Sequence, residues 1–181
     1  MPSLNRLHVL LLVALLCCGQ QAWAGVTVRF EPSEVTYYEE DLFTLDLVAD
    51  ISDPVIGWGL DLTIEDPLVL SLNGPPMIGP LWYEGYAPDG DGLVGLAFDT
   101  GISGNDILLA TISLQAVTMG DTDLYASVTP GDLTEGFPLD PTGFADVTFE
   151  SGHVIVIPEP AAVVLLAAGG WLVVRFRRRR G

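Results

Sequence analysis

The constraint on this chain's fold is a period of two in its side chains. In LFTLDLVADI, Phe43, Leu45, Leu47, Ala49 and Ile51 point one way, while Thr44, Asp46, Val48 and Asp50 point the other. In IGWGLDLTIE, Ile56, Trp58, Leu60, Leu62 and Ile64 alternate with Gly57, Gly59, Asp61, Thr63 and Glu65. ILLATISLQAVT and LYASVT continue the habit, and HVIVI reads as a short final strand. Such alternation sends successive side chains to opposite faces of a sheet, and no stretch carries a sustained helical stripe. The runs are punctuated by ISDPVIG, NGPP, APDGDG, SGND, TPGD and LDPTG, which read as turns. Without helices to cover a parallel sheet, the pattern predicts an all-β fold, an antiparallel β-sandwich.

Targeting segments bracket this region. Arg6, the apolar run Val9 to Cys18, and the small residues Ala22 and Ala24 predict a signal helix in residues 1–24, cut after Ala24 by signal peptidase. Its apolar core is too short to span a bilayer. The rival use of Cys17 or Cys18 as a lipidated cysteine meets poor preceding residues, Leu16 and Cys17. Both cysteines lie in the predicted signal, so residues 25–157 hold themselves together by burial alone and carry no thiol.

At the other end, residues 158–181 read Pro-Glu-Pro, an apolar run and an arginine block. Ala161 to Val174 is fourteen residues without a charge. As a helix rising ~1.5 Å per residue it covers ~21 Å, against a hydrocarbon core of ~30 Å, so it predicts a short, marginal transmembrane helix. Arg175, Arg177, Arg178, Arg179 and Arg180 would stay on the cytoplasmic side as a stop signal, leaving Pro158, Glu159 and Pro160 outside. The two prolines disfavour helix there and present an extended backbone.

Pro-Glu-Pro, an apolar run and an arginine cluster in that order resemble the PEP-CTERM protein-sorting signal of Gram-negative bacteria. The resemblance implies that an exosortase reads Pro158, Glu159 and Pro160 and removes the tail, after transient anchoring in the inner membrane. The destination it implies is the cell surface or extracellular matrix. An ordinary membrane anchor is the alternative.

A second resemblance covers residues 26–157. EEDLFTLDLVADISDP, then GWGLDLTIEDPLVLSL with Asp66-Pro67 and Leu70, then LLATISLQAVTMGDTDLYASV and SGHVIVI, are similar to the cohesin-like jelly-roll β-sandwich. The resemblance implies binding of a partner protein or of a polysaccharide, and no catalysis.

Charge narrows the partners. From Gly25 to Ile157 Arg29 is the one basic residue against 23 carboxylates, a net charge of −22. Such a surface repels nucleic acid and anionic lipid. Solubility accounts for it, and divalent-cation binding is the sharper alternative. In PDGDG, Asp89 and Asp91 match the first two ligands of an EF-hand, but Leu93, Val94 and Thr100 break the pattern. A looser calcium site from Asp89 and Asp91 with Asp99 or Asp106 stays open beside a plain turn.

The long connection NGPPMIGPLWYEGYAPDGDG, residues 73–92, gathers Trp82, Tyr83, Glu84 and Tyr86. Flat aromatics beside acids suit stacking on sugar rings, which makes these four a candidate ligand loop. The competing expectation is that Trp82 and Met77 fold inward and staple the connection to the sandwich. GDLTEGFPLDPTGF, residues 131–144, is a second such loop. Enzymatic readings lack parts: His153 is the one histidine after residue 24 and reads as a surface strand residue. A glycosidase built on a carboxylate pair is uninformative among 23 acids. The expectation is an exported, non-enzymatic binding module, with a passive structural role or a glycoside hydrolase as alternatives.

Overall fold

The computed structural model describes residues 25–85, 92–97 and 100–159. They form a sandwich of two six-stranded sheets. One sheet contains β1 (Gly25–Glu31), β3 (Leu42–Val55), β5 (Leu70–Leu72), β6 (Met77–Ile78), β9 (Ile102–Ala116) and β11 (Asp146–Phe149). Its order is β11-β1-β3-β9-β5, with β6 also on β9. The other contains β2 (Glu34–Tyr38), β4 (Gly57–Ile64), β7 (Tyr83–Glu84), β8 (Gly92–Leu96), β10 (Gly120–Ser127) and β12 (Gly152–Ile157). Its order is β2-β12-β10-β4-β8-β7.

The alternation places the core. Phe43, Leu45, Leu47, Ala49 and Ile51 are all buried, as are Trp58 and Leu60 across from them. Leu62 and Ile64 are half-buried against the same core. Leu109, Ile112, Leu114, Leu124, Val154 and Val156 complete it. Two expectations fail locally. Val48 is not among them: it keeps the outer face opposite Arg29, outside the core cluster, although it is buried there, and the extra residue at the register shift, Leu109, lies on β9. Ile56 is exposed, because it is the bend between β3 and β4 and belongs to neither strand. ISDPVIG and SGND are not turns: β3 runs on to Val55 and β9 starts at Ile102, and the two stay paired through further register shifts.

The sandwich is not purely antiparallel. β11 pairs with β1 in parallel, Gly25 opposite Asp146, and β2 pairs with β12 in parallel, Glu34 opposite His153. The first two strands of the domain thus each lie beside one of the last two. The predicted signal helix and the transmembrane helix, together with Ala22, Ala24, Pro160 and Arg175 to Arg180, lie outside the described residues. Among the described residues no helix is long and apolar enough to cross a membrane.

Candidate functional site

The connection after β5 is structured rather than free. Its first part forms β6, with Met77 opposite Thr111 on β9, and its second forms β7, with Tyr83 opposite Leu96 on β8. It therefore crosses from one sheet to the other. A Cβ on Gly79 would overlap the Leu108 carbonyl, so the crossing is made at backbone contact distance.

Trp82 pins this crossing. Its ring is buried, its indole Nε1 donates to the Leu108 carbonyl oxygen at 3.0 Å, and it meets Trp58 edge to face with centroids 6.3 Å apart. Trp82 is thus withdrawn from the candidate ligand loop: burial next to Trp58 and an acceptor on β9 hold it inward. Met77 does the reverse of the inward expectation and is exposed, because β6 turns its side chain to solvent. Tyr83 is 62% exposed and Glu84 follows it in β7. Tyr86, Asp89, Asp91 and Asp99 lie outside the described residues.

Asp106 is committed elsewhere. Arg29 on β1 donates to Glu31, to Asp50 at 3.0 Å and to Asp106, and the Asp106 backbone N–H donates to Asp50 Oδ1 at 2.8 Å. That amide bond, followed by the guanidinium, holds the Asp50 carboxyl below the usual carboxylate range. Arg29, the one arginine among the described residues, therefore clips β1, β3 and the irregular start of β9 together. Among the described residues no group of three His, Cys, Asp or Glu side chains is placed to hold a metal ion.

The second loop is also an anchored segment. Gly59 and Gly136 exchange backbone hydrogen bonds at 3.0 and 2.8 Å, and Ile56 N–H donates to Pro138 O at 2.9 Å. Phe137 is fully buried, and the Glu135 carboxylate, itself buried, accepts from the Thr129 backbone N–H. Loop 131–145 thus continues the sheet beside β4 where β10 leaves it.

On the outer face of the second sheet His153 Nδ1 lies 2.6 Å from Asp123 Oδ1, and Tyr125 donates its hydroxyl to Asp123 Oδ2 at 3.1 Å. Nothing in the residues alone marks this pair, because it depends on β10 and β12 being registered with Asp123 opposite His153. The hydrogen bond to Asp123 raises the His153 pKa above its ordinary value, with Asp121 and Glu34 adding to it. The same bond, with Tyr125, lowers Asp123. A raised histidine stabilises the fold below its unfolded value of roughly 6.5 and loses that contribution as pH rises through the folded value. The lowered Asp123 loses its contribution as pH falls through its own depressed value. The pair is thus intact between those limits. Asp123→Asn should bring the His153 imidazole midpoint down toward an ordinary histidine in an NMR titration; an unchanged midpoint would mean that the pair does not form in solution.

No family model and no curated protein matches the chain. Solved structures do. A non-cellulosomal cohesin from the archaeon Archaeoglobus fulgidus superposes with a TM-score of 0.56 at 16% identity, over 78% of this chain and 96% of that one. The sixth cohesin of Acetivibrio cellulolyticus scaffoldin B, in complex with a Cel5 dockerin, gives 0.55 at 13% identity, over 74% and 99%. A type I cohesin–dockerin complex from Clostridium thermocellum gives 0.54 at 11%, over 75% and 94%. The described residues therefore adopt the cohesin fold, an all-β sandwich.

Proposed function

We propose that this chain is an exported, non-catalytic binding module displayed at the surface or in the extracellular matrix of a Gram-negative bacterium, where it engages a partner protein. The observation that carries the reading is the cohesin fold itself, which in two of the similar structures is seen in complex with a dockerin. Exosortase processing fits the same picture. β12 ends at Ile157, Pro158 is half-buried, and Glu159 is exposed just beyond the last strand. The strand holds the domain side of the motif in place while its backbone leaves the sheet.

A polysaccharide ligand is the second reading, and the exposed ring of Tyr83 favours it. Both are tested by tethering the exported chain and passing over it a surface extract of the bacterium, with calcium or with a chelator, then identifying what is retained. A saturable protein ligand supports the first reading, and a polysaccharide the second. Retention of nothing specific returns the chain to a passive structural role. Calcium-dependent retention that Asp89→Asn with Asp91→Asn abolishes would assign a ligand role to those two. Tyr83→Ala should weaken retention about tenfold if β7 lies in the contact, since exposed tyrosines are frequent anchors of interfaces. Trp82 is unsuitable for that test, because its removal acts on the core.

A further inference from the structure

Four parts of the chain meet at one end of the sandwich. The β2–β3 turn is joined to the end of β12 by Glu39 N–H donating to Ile157 O at 3.1 Å, and to β9 by Glu40 N–H donating to Ala116 O at 2.9 Å. The β9–β10 turn joins it through Met119 N–H donating to Glu39 Oε1 at 3.0 Å. The β4–β5 turn joins through Val117 N–H donating to Val69 O at 2.8 Å. At or beside each of these turns an apolar side chain is exposed: Leu42, the first residue of β3, is 64% exposed, Leu68 72%, Met119 63% and Val117 40%. Side chains of this kind at adjacent turn tips form a surface that water solvates poorly.

What covers it follows from where the chain goes next. Ile157 ends β12 at this same end, and four residue steps later the uncharged run Ala161 to Val174 begins. Those steps reach at most ~14 Å even when fully extended. When the run enters a bilayer, the turns carrying Leu42, Leu68, Val117 and Met119 stay within about that distance of its surface. The acids among them, Glu39, Glu40, Asp41 and Asp66, disfavour an anionic surface.

We propose that this end of the sandwich is a membrane-facing platform whose turn tips, Leu42, Leu68, Val117 and Met119, insert among the headgroups of zwitterionic lipid while residues 161–174 are in the bilayer. The proposal rests on the reading of those residues as a membrane-inserting segment. It gives the tethered domain a fixed stance, with the Pro158–Glu159 backbone at the lipid surface and the loops around Leu133 turned away.

The test uses the full chain with Cys17→Ser and Cys18→Ser, reconstituted into phosphatidylcholine vesicles. An environment-sensitive fluorophore is attached through one added cysteine: Leu68→Cys, Met119→Cys, Leu133→Cys as the control beyond the far end of β10, or Val164→Cys in the tail. Lipid carrying brominated acyl chains is the quencher, and unchanged thermal unfolding confirms that each labelled chain folds. Quenching at residues 68, 119 and 164 with none at 133 is the expected result. Quenching at 164 alone leaves tail insertion standing and overturns the platform. A label at 68 or 119 that is shielded from water yet unquenched by lipid also overturns it, since protein would then cover the patch. No quenching at 164 removes the tail reading and the platform with it.

Discussion

Trp82→Ala is expected to destabilise the domain by about 3–5 kcal/mol, in the range of large aromatic truncations in protein cores. The indole fills space between the sheets beside Trp58, and its Nε1 satisfies the Leu108 carbonyl at 3.0 Å. Truncation leaves a void and an unsatisfied acceptor in one stroke. It also frees the crossing between β6 and β7, so the connection from residue 73 to 92 should become cleavable by protease before the sandwich itself unfolds. In a thermal melt the loss corresponds to roughly 10–20 °C for a domain of this size. A shift of only a few degrees, with an unchanged cleavage pattern, would show that Trp82 does not anchor the connection. Trp82→Phe separates the two contributions, because it keeps most of the packing and removes only the indole donor.

Gly59→Ala should cost about 3 kcal/mol, at the upper end of what overpacking a core usually does. A methyl group on Gly59 would overlap the Thr134 carbonyl oxygen and stand 3.1 Å from the Glu135 Cα, so the obstacle is backbone rather than a side chain that could swing away. Loop 131–145 would have to lift from β4, breaking the paired Gly59–Gly136 hydrogen bonds and exposing Phe137. The signature is specific. Amide exchange should quicken at Gly59, Gly136 and Ala145 while β3 and β9 keep their protection. Uniform acceleration across both sheets would mean that the loop and the sandwich open as one unit.

The contrast between these two sites shows what could be read from the residues alone. The inward set Phe43, Leu45, Leu47, Ala49 and Ile51 was legible because period two survives wherever the register is regular. What the residues do not show is that outward Val48 is buried opposite Arg29, or that Leu109 bulges from β9, since both depend on pairing between strands. The same holds for ISDPVIG and SGND, whose Gly, Pro and Asp residues carry irregular strand rather than turn; Gly104 and Asp106 have φ of 146° and 55° inside β9. Trp82 was recognisable as an aromatic in an acidic connection, but whether it faced in or out depended on a carbonyl 26 residues away. The Arg29 clip and the His153–Asp123 pair are likewise products of registers between distant strands. The tail motif is linear and needs no tertiary partner to be read, and residues 160–181 lie outside the described residues.

The two parallel pairings also set an order in time. β1 and β2 come first among the described strands, yet their parallel neighbours, β11 and β12, come last. β1 can pair early with β3, but its sheet is complete only with β11, and β2 has no sheet neighbour until β12 forms. Such long-range closure is slow and leaves edges open to misassembly in the meantime. It also makes closure a timer: β12 enters between β10 and β2 last, so the sandwich locks only once the chain is present through Ile157.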